Sequence, residues 1–486
     1  MDSVNGKIAR HKTAIKRASY SLPVKCLLRD QLLGQSDTFF DYGCGHGQDL
    51  ALLADSGIET DGWDPVHRCD ADKKAADIVN LGYVINVIED IQERTEAVRS
   101  AFDLAQSLLV VAAQTEYAAP TNGDLREFQD GFLTSRGTFQ KYYSQTELRI
   151  YLEQIVEADA IPAAPGVFYI FCDDEKKQEF LARRYHRRIT VPRRRVSEVL
   201  FEQHKELLED FMASLTEFGR LPDESEFHRS VEVIDTFGSL KRAFALIRRV
   251  TDEAPWQAIA VRRAEDLLVY LALSRFGKRP SFSRLPPSVQ LDVKSFLGSY
   301  KKATEQADEL LFQAGNPDAI DEECRTSPVG LLVNNGLLLH KSAIDYLSPL
   351  LRVYEGCART FVGEIEEANV IKLHTLSGKV TYLSYPDFEK KPHPPQRQRI
   401  KVSLRDLRAQ FFDYADSTDP DLLLRKDALV HPEHECHSRF QKLTKQEVAH
   451  SLLDGLEERV AESVWSQRLE LAAVEQKGHR LQKRKP

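Results

Sequence analysis

The feature that most constrains the fold of this chain is a set of three glycines at alternate positions. They stand in the stretch FDYGCGHGQDL, Phe40–Leu50, directly after a short apolar segment. Glycine has no Cβ, so the chain can turn sharply off a strand and bring its backbone against a ligand. The flanking patterns predict a strand over Asp37–Tyr42 and a helix over Gln48–Ser56. A strand, a glycine turn and a helix in this order predict an α/β domain with a mostly parallel sheet.

The spacing of the glycines favours one class of cofactor. Asp41, Gly43, Gly45 and Gly47 fit the pattern acidic-x-G-x-G-x-G. A dinucleotide fingerprint would be G-x-G-x-x-G, and a nucleotide P-loop would end in Gly-Lys-Ser/Thr, so neither matches. The spacing is that of sites for S-adenosylmethionine (SAM), in which the acid before the glycines helps to place the ammonium group of the ligand. The alternative is a flavin or NAD fold with a degenerate loop.

A second acidic residue stands where a nucleoside ligand needs one. Asp64 lies 21 residues after Gly43, at the tip of a strand predicted over Glu59–Trp63. A carboxylate in this position can accept hydrogen bonds from both ribose hydroxyls. The predicted SAM-binding residues are therefore Asp41, Gly43, Gly45, Gly47 and Asp64.

The segment ADIVNLGY supplies the residues predicted for chemistry. It forms a predicted strand, Ala76–Asn80, that ends beside the transferred methyl group in methyltransferases. Asn80 and Tyr83 give Asn-x-x-Tyr where amino-methylating DNA enzymes have Asn-Pro-Pro-Tyr. In those enzymes the Asn accepts from the target amino group while the aromatic ring stacks on a flipped base. Leu81-Gly82 replaces the two prolines. The alternative takes VINVIEDI, Val84–Ile91, as the passage from strand to helix of small-molecule and RNA methyltransferases, where it would be a structural helix start.

Length and composition place this domain within a larger soluble chain. At about 150 residues per domain, 486 residues predict two to four domains. No apolar stretch approaches the ~20 residues that span a bilayer, and the basic N-terminus lacks the apolar region of a secretory signal. We therefore expect no membrane partner.

The cysteines indicate a reducing compartment. Seven of them are scattered, and none forms a CxxC pair. This usage predicts free thiols and a cytoplasmic location. The stretch HPEHECH, His431–His437, contains zinc-binding residue types, but they are too close in sequence to wrap one tetrahedral ion. A polar loop is favoured there, and no metal site is predicted.

The patterns predict five segments. Residues 1–180 form a Rossmann-like domain, doubly wound around a mostly parallel sheet. Residues 181–196 are a basic connector, 197–325 an all-helical domain and a DNA-binding candidate, 326–476 an α+β domain, and 477–486 a basic tail expected to be disordered. Within the α+β domain we predict a hairpin over Val370–Phe388 and a long helix over Lys445–Glu475.

The connector holds a dense run of arginines without an acid, ARRYHRRITVPRRRV. It is either a solvated linker or a phosphate-binding stripe, and both interpretations are equally supported. Because the net charge of the chain is −8, any nucleic-acid footprint must be local. The candidate phosphate contacts are Arg183, Arg184, Arg187, Arg188, Arg193, Arg194 and Arg195.

The helical segment contains two Phe-Gly turns, in FGRLPDESEFHRSVEVIDTFGSLKRAFALIRR, Phe218–Arg249. These turns resemble those of small three-helix DNA-binding repeats that are attached to endonucleases and helicases. An ordinary helical spacer is the alternative and is slightly favoured.

Several stretches together resemble the family of DNA phosphorothioation-associated methyltransferases. They are RHKTAIKR, DYGCGHGQDL, GWDP, VNLGYVINVIED and LLVVAAQ, followed by HKSAIDYLSPLLRVYEGCAR, VIKLHTLSGKVTYLSYPDF with its PHPP, and LTKQE. The resemblance covers nearly the whole chain. It implies a SAM-dependent methyltransferase fold and an association with bacterial DNA-modification and defence systems, and it leaves the substrate open.

The prediction from the sequence is a SAM-dependent methyltransferase that acts on nucleic acid, with DNA favoured over RNA, beside other proteins of a DNA-modification system. One alternative is a non-catalytic SAM-binding assembly or regulatory subunit, which the missing prolines favour. The other is a methyltransferase of RNA or of a small molecule.

Overall fold

A computed structural model describes residues 8, 10–13, 19–118, 126–185, 187 and 199–484. The chain divides into two compact units, each assembled from separate parts of the sequence. The first comprises Met1–Asp174, Ala358–Ala368 and Gln398–Asp413, and the second comprises Glu175–Cys357, Asn369–Arg397 and Tyr414–Pro486. Each unit draws on more than one predicted segment, and the predicted domain boundaries stay a prediction.

The first unit is built on a six-stranded mixed sheet. Its elements are α1 (Leu22–Arg29), β1 (Thr38–Tyr42), α2 (Gln48–Asp55), β2 (Glu59–Trp63), β3 (Ala76–Gly82), α3 (Ile91–Leu104), β4 (Ala105–Ala112), β5 (Arg126–Phe128), β6 (Gly131–Leu133), β7 (Phe139–Gln140), α4 (Gln145–Val156), β8 (Ala160–Ala164) and β9 (Val167–Phe171). The sheet order is β2-β1-β3-β4-β9-β8, and β5, β6 and β7 form a small separate sheet. The first four strands of the large sheet are parallel, and β9 is antiparallel to both of its neighbours. The predicted Rossmann-like, mostly parallel sheet is confirmed.

The central strands are apolar on both faces because helices cover both faces of a parallel sheet. Residues 108–113 at the end of β4 are all buried, as are Val79 and Leu81 of β3. Strand β1 lies between β2 and β3, so the chain runs from β1 to β2 on one side of it and then crosses to β3 on the other side. Such a reversal opens a crevice outside the carboxyl ends of the strands, which is where α/β sheets bind ligands.

The second unit begins with a helical region. Its helices are α5 (Asp174–Arg183), α6 (Val199–Gln203), α7 (Lys205–Phe218), α8 (Ser230–Phe237), α9 (Leu240–Val250), α10 (Glu253–Leu273), α11 (Pro287–Asp292), α12 (Tyr300–Gln313) and α13 (Pro317–Thr326). Helices α6 to α10 share one apolar core around Phe211, Leu246 and Trp256. Within the described residues, no helix has both the length and the apolar character needed to cross a bilayer.

The later elements alternate short strands and helices. They are β10 (Leu331–Val333), β11 (Gly336–His340), α14 (Pro349–Val362), β12 (Val370–His374), β13 (Lys379–Ser384), β14 (Gln398–Ser403), β15 (Arg408–Asp413), β16 (Asp421–Leu423), α15 (Lys426–Leu429), α16 (His437–Ala449), β17 (Arg459–Ala461), α17 (Glu462–Leu471), β18 (Val474–Gln476) and β19 (Leu481–Lys483). Strands β12 and β13 form the predicted hairpin, with Gly378 at φ 62° in its turn. The β14–β15 hairpin belongs to the first unit.

Two predictions for the C-terminal part are wrong. The helix predicted over Lys445–Glu475 stops at Ala449, and a strand precedes the next helix. Ser451 follows with φ 54° and Gly455 with φ 73°, and a left-handed residue ends a helix. The tail is not disordered over Leu481–Lys483, because these residues pair with β18.

Candidate functional site

A cleft of about 540 Å³ lies in the first unit where β1 and β3 end. This volume is within the range of small-molecule sites, about 300–1,000 Å³. The glycine loop after β1, the residues after β2 and β3, and one face of α3 line it. The predicted cofactor residues Asp41, Gly43, Gly45 and Asp64 and the predicted catalytic residues Asn80 and Tyr83 are thus brought together. Gly47 is the first residue of the turn into α2 and lies in the same loop.

The glycine loop depends on left-handed backbone. The φ values of Gly43, Gly45 and Gly47 are 88°, 52° and 73°, which residues other than glycine rarely adopt. At Gly43 space is also limiting, because a Cβ there would lie 2.4 Å from Cγ2 of Val84. The Gly43 N–H donates to the Trp63 carbonyl oxygen at 2.7 Å, which holds the loop against β2. The loop therefore exposes backbone to the cleft in a fixed shape.

Asp64 follows β2 and organises the floor of the cleft. Its carboxylate accepts three backbone N–H groups, from Gly45 at 3.0 Å, Val66 at 2.9 Å and His67 at 2.8 Å. A carboxylate has about four acceptor positions, so roughly one is left for a ligand hydroxyl. The predicted contact with both ribose hydroxyls would require the loop to release one of these N–H groups.

Asp41 and Asn80 face each other from neighbouring strands, and both are buried, at 5% and 2% exposure. The Asn80 Nδ2 donates to Asp41 Oδ1 at 2.8 Å. An ionised carboxylate only accepts, so the amide nitrogen must face it and the amide oxygen must point away. Within the described part of the chain, Asn80 Oδ1 has no hydrogen-bond partner, although Asn80 lines the cleft.

The position of Asn80 differs from the prediction. Strand β3 continues for two residues beyond it, so Asn80 does not end the strand. Its amide nitrogen is engaged with Asp41, the acid that precedes the loop glycines. A Cβ on Gly82 would lie 3.0 Å from Asn80 Nδ2, so glycine leaves room for this amide where the DNA enzymes have proline.

Tyr83 directly follows β3 in a left-handed conformation, with φ 61°. Such backbone costs a non-glycine residue roughly 1–2 kcal/mol. The Tyr83 N–H donates to the Ala112 carbonyl oxygen at 2.7 Å, which holds the residue in place at the edge of the cleft. Strained residues of this kind cluster at functional sites.

The lining of the cleft carries more acids than bases. Among its described residues are five carboxylates and two permanent cations, Arg10 and Lys73; the acids are Asp41, Asp49, Asp64, Glu93 and Glu96. Arg10 is bound to Glu93 at 2.6 Å, and Lys73 Nζ lies 4.0 Å from the Trp63 ring centroid. The lining therefore favours a cationic ligand over a phosphorylated one.

The thiol of Cys44 lies in the same loop. Burial, and after it the charges of Asp41 and Asp64, raises the pKa of this thiol to about 12. Because only the thiolate is a strong nucleophile, Cys44 does not supply a nucleophile near neutral pH.

Several residues of the cleft are not predicted from the sequence. His46 and His67 pack together with ring centroids 4.3 Å apart, and Lys73 donates to the Tyr42 hydroxyl at 2.7 Å. His46 stands between two loop glycines, and that position could have drawn attention to it. Lys73 and Arg10 carry no comparable signal, because only the tertiary fold brings them to the cleft.

The structure changes the interpretation of the connector. Arg187 is buried, with its Nε 2.6 Å from Asp266 Oδ1 and its Nη2 2.8 Å from Glu265 Oε2. These partners occupy its guanidinium, so the predicted phosphate contact is wrong for Arg187. Arg183 ends α5, and Arg184 lies over the Phe180 ring. Arg188, Arg193, Arg194 and Arg195 lie outside the described residues.

The stretch His431–His437 is packed against aromatic rings. The His431 ring stacks on Tyr346 at 3.6 Å, and Cys436 joins Glu389 and Glu435 in a group whose possible ligand atoms lie within 4.8 Å of one another. Arg439 Nη2 lies 3.1 Å from the Cys436 sulfur, and its charge opposes a cation there. We assign no metal role to this group.

Several solved structures are similar to about a third of the chain, and three of them illustrate the similarity. One is 1,6-didemethyltoxoflavin-N1-methyltransferase of Burkholderia thailandensis with S-adenosylhomocysteine, at 10% identity over 34% of this chain and 79% of that one, TM-score 0.24. Another is a sugar N-methyltransferase of Streptoalloteichus, at 14% identity over 34% and 86%, TM-score 0.23. The third is magnesium protoporphyrin IX methyltransferase of Synechocystis with S-adenosylhomocysteine, at 13% identity over 33% and 92%, TM-score 0.23.

No protein-family model and no curated protein matches the sequence. Structural similarities of this size do not identify a family. The resemblance to the phosphorothioation-associated family therefore stays a prediction.

Proposed function

We propose that this chain is a SAM-dependent methyltransferase that binds its cofactor in the cleft of the first unit. The observation that carries the proposal is the excess of carboxylates around a glycine loop at the switch point of the sheet. SAM carries a sulfonium and an ammonium group, which carboxylates attract, whereas dinucleotides carry phosphates, which they repel. The lining thus supports SAM over the NAD alternative that the spacing left open.

The residues present fit this cofactor. The left-handed glycines let the backbone approach the ligand, and Asp64 has an acceptor position left for a ribose hydroxyl. Asn80 Oδ1 is a buried acceptor that has no partner among the described residues, which costs about 1–3 kcal/mol, and a ligand N–H would satisfy it. Asp41 and Asn80 would therefore hold the ammonium group together, with Asn80 as a positioning residue.

SAM supplies a methyl group on a positively charged sulfur. An acceptor that is already a good nucleophile needs alignment with that sulfur more than it needs acid–base help, so positioning provides most of the rate. The rigid glycine loop and the buried Asp41–Asn80 pair fix the cofactor side. Tyr83 offers an aromatic ring on which a planar acceptor can stack.

The acceptor in this proposal is nucleic acid, with DNA favoured over RNA, in a cytoplasmic DNA-modification system. The basic run over residues 182–196 and the family resemblance support it.

Mass spectrometry of nucleosides from cells with and without this protein tests the acceptor. We expect one methylated nucleoside to disappear from DNA when the protein is absent. Transfer of label from SAM to duplex DNA, tRNA and pooled metabolites should favour DNA; label in metabolites alone would contradict the proposed acceptor. Tight SAM binding without transfer to any of them would indicate the non-catalytic subunit.

A further inference from the structure

The hydroxyl of Ser21 is buried in the wall of the cleft and has no hydrogen-bond partner among the described residues. Ser21 is 4% exposed and lines the same cleft as Asp41 and Asn80. A serine that precedes a helix commonly accepts a hydrogen bond from the first N–H groups of that helix, but the Ser21 side chain makes no such bond to α1. A buried hydroxyl without a partner is unfavourable, so a ligand atom that binds it would be stabilised there.

Two contacts fix the position of Ser21 beside the glycine loop. Its N–H donates to Asp49 Oδ1 at 2.8 Å, and Asp49 lies in the first turn of α2, directly after the loop. The hydroxyl of the preceding residue, Tyr20, donates to the Leu52 carbonyl oxygen at 3.0 Å. Helix α1 itself packs against β3 and β4. The Ser21 hydroxyl is therefore held in a defined position in the cleft wall.

The start of α1 differs in charge from the other helix starts at the cleft. The N-terminal end of a helix carries partial positive charge, which α2 balances with Asp49 and α3 with Glu93, both in the first turn. The first turn of α1 contains no acid. Its second residue, Pro23, has no N–H, and the N–H groups of Leu22 and Val24 have no carbonyl oxygen within the helix to bind. The start of α1 therefore offers donors and positive potential in a cleft rich in carboxylates.

The carboxylate of SAM needs such a place, because it is bonded to the same carbon as the ammonium group. The two permanent cations among the described lining residues are Arg10 and Lys73. Arg10 is bound to Glu93 at 2.6 Å. Lys73 lies over the ring of Trp63, the residue before Asp64, and so at the end of the cleft that we assign to the ribose. Within the described lining, the start of α1 is thus the best place for the anion.

We propose that the start of α1 binds the carboxylate of SAM, with the Ser21 hydroxyl as a donor to one of its oxygens. This bond would satisfy the buried hydroxyl and place an anion at the positive end of a helix. The Asp49 carboxylate beside it is already bound by the Ser21 N–H. Asp41 and Asn80 would hold the ammonium group, so different elements would bind the two charges. The inference rests on the proposed function, because it takes SAM to lie in this cleft, and it assigns the second charge of the amino-acid end.

Decarboxylated SAM isolates the contribution of the carboxylate, since it keeps the sulfonium and the ammonium groups. In isothermal titration calorimetry with the full-length protein, we expect SAM to bind at least about tenfold more tightly than decarboxylated SAM. Ser21→Ala should weaken SAM by about tenfold or more and decarboxylated SAM by less than about twofold. Asn80→Ala should weaken both ligands, because both carry the ammonium group.

Ser214→Ala is the matched control for the loss of a buried hydroxyl. Ser214 is 9% exposed, and its Oγ also has no partner among the described residues. It lies in α7 and outside the lining of the cleft, so its replacement should leave the affinities for both ligands unchanged. Thermal melting verifies that each variant folds.

Ser21→Asp separates ligand binding from helix capping. Aspartate precedes helices as favourably as serine does, so a purely structural role of Ser21 predicts unchanged melting and unchanged SAM affinity. We expect the added charge to repel the carboxylate of SAM. SAM should then bind more weakly than to Ser21→Ala, whereas decarboxylated SAM should keep its affinity.

Equal weakening of SAM and decarboxylated SAM in Ser21→Ala would overturn the proposal, as would unchanged SAM affinity in Ser21→Asp. Either result would leave SAM binding in the cleft, and with it the proposed function, intact. If Ser21→Ala does not fold, the comparison of the two ligands in Ser21→Asp decides. Absence of SAM binding by the unmodified protein would overturn both the inference and the proposed function.

Discussion

Replacing Asn80 tests the most specific feature of the cleft. Asn80→Ala removes the buried amide oxygen that we assign to the ammonium group of SAM. A hydrogen bond to a charged group contributes about 1.5–3 kcal/mol, which corresponds to a rise in Kd of about 10- to 150-fold. The loss should concern only ligands that carry the amino-acid end.

Isothermal titration calorimetry with two ligands isolates this contribution. SAM has the amino-acid end, and 5′-methylthioadenosine has the adenosine and sulfur without it. We expect Asn80→Ala to weaken SAM by about 10- to 150-fold and methylthioadenosine by less than about twofold. Asn86→Ala is the matched control, since Asn86 is equally buried at 2% exposure, also has an unpartnered Oδ1 among the described residues, and lies outside the lining of the cleft.

Two results would refute the reasoning. Equal weakening of both ligands, together with a lower melting temperature, would mean that Asn80 supports the shape of the cleft. Unchanged SAM affinity with greatly reduced methyl transfer would return Asn80 to the acceptor-contacting role that the sequence alone predicted.

Three further predictions concern the loop, the connector and acid stability. Gly45→Val should abolish SAM binding in calorimetry, since a β-branched residue cannot readily adopt φ 52°. Asp64→Ala should weaken SAM binding and also lower the melting temperature, because three backbone N–H groups lose their acceptor. Unchanged SAM affinity in both variants would exclude the assignment of the loop. Alanines at Arg193–Arg195 should lower the salt slope of duplex binding by about 0.9 for each phosphate contact, and an unchanged slope would make the stretch a linker. Burial lowers the pKa of His340 from 6.5 to about 3 in the folded protein. Below pH 6.5 the unfolded chain therefore takes up a proton that the folded protein does not, so the free energy of unfolding is highest above pH 6.5 and decreases as the pH falls towards 3. In denaturant titrations from pH 7 to 4, His340→Phe should therefore reduce the decrease in the free energy of unfolding by up to about 1.4 kcal/mol per pH unit, and the exposed His450→Asn should leave that decrease unchanged. The same dependence of unfolding free energy on pH in both variants would contradict this prediction.

The sequence predicts the strands and the helix around the glycine loop well because its signals there are local. The strand Glu59–Trp63 was predicted with its observed bounds, and β1 differs by one residue at its start. Short apolar runs bounded by glycine and charged residues allow few other structures. Asp64 and the loop glycines follow from spacing along one βαβ unit, so they can be located without knowledge of the tertiary fold.

The environment of Asn80 could not be predicted in this way. Its contact with Asp41 joins residues 39 positions apart and depends on the register between β1 and β3. Arg187 is a similar case, since its partner Asp266 is 79 residues away. A run of arginines looks solvated in sequence, and only long-range packing reveals that one of them is buried.

The C-terminal error has a different cause. The apolar residues Leu452, Leu453 and Trp465 lie within the span that is predicted as one helix. In the structure they converge on a small core from a turn and a separate helix, and β16 contributes Leu422 to it. Left-handed Ser451 interrupts the helix, and serine at that position gives no warning in the sequence.

Titration of SAM into the full-length protein tests the central claim most directly. We expect saturable binding at one site, competition by S-adenosylhomocysteine and no competition by NAD, since the carboxylate-rich lining repels phosphates. Absence of SAM binding, or displacement of bound SAM by NAD, would contradict it.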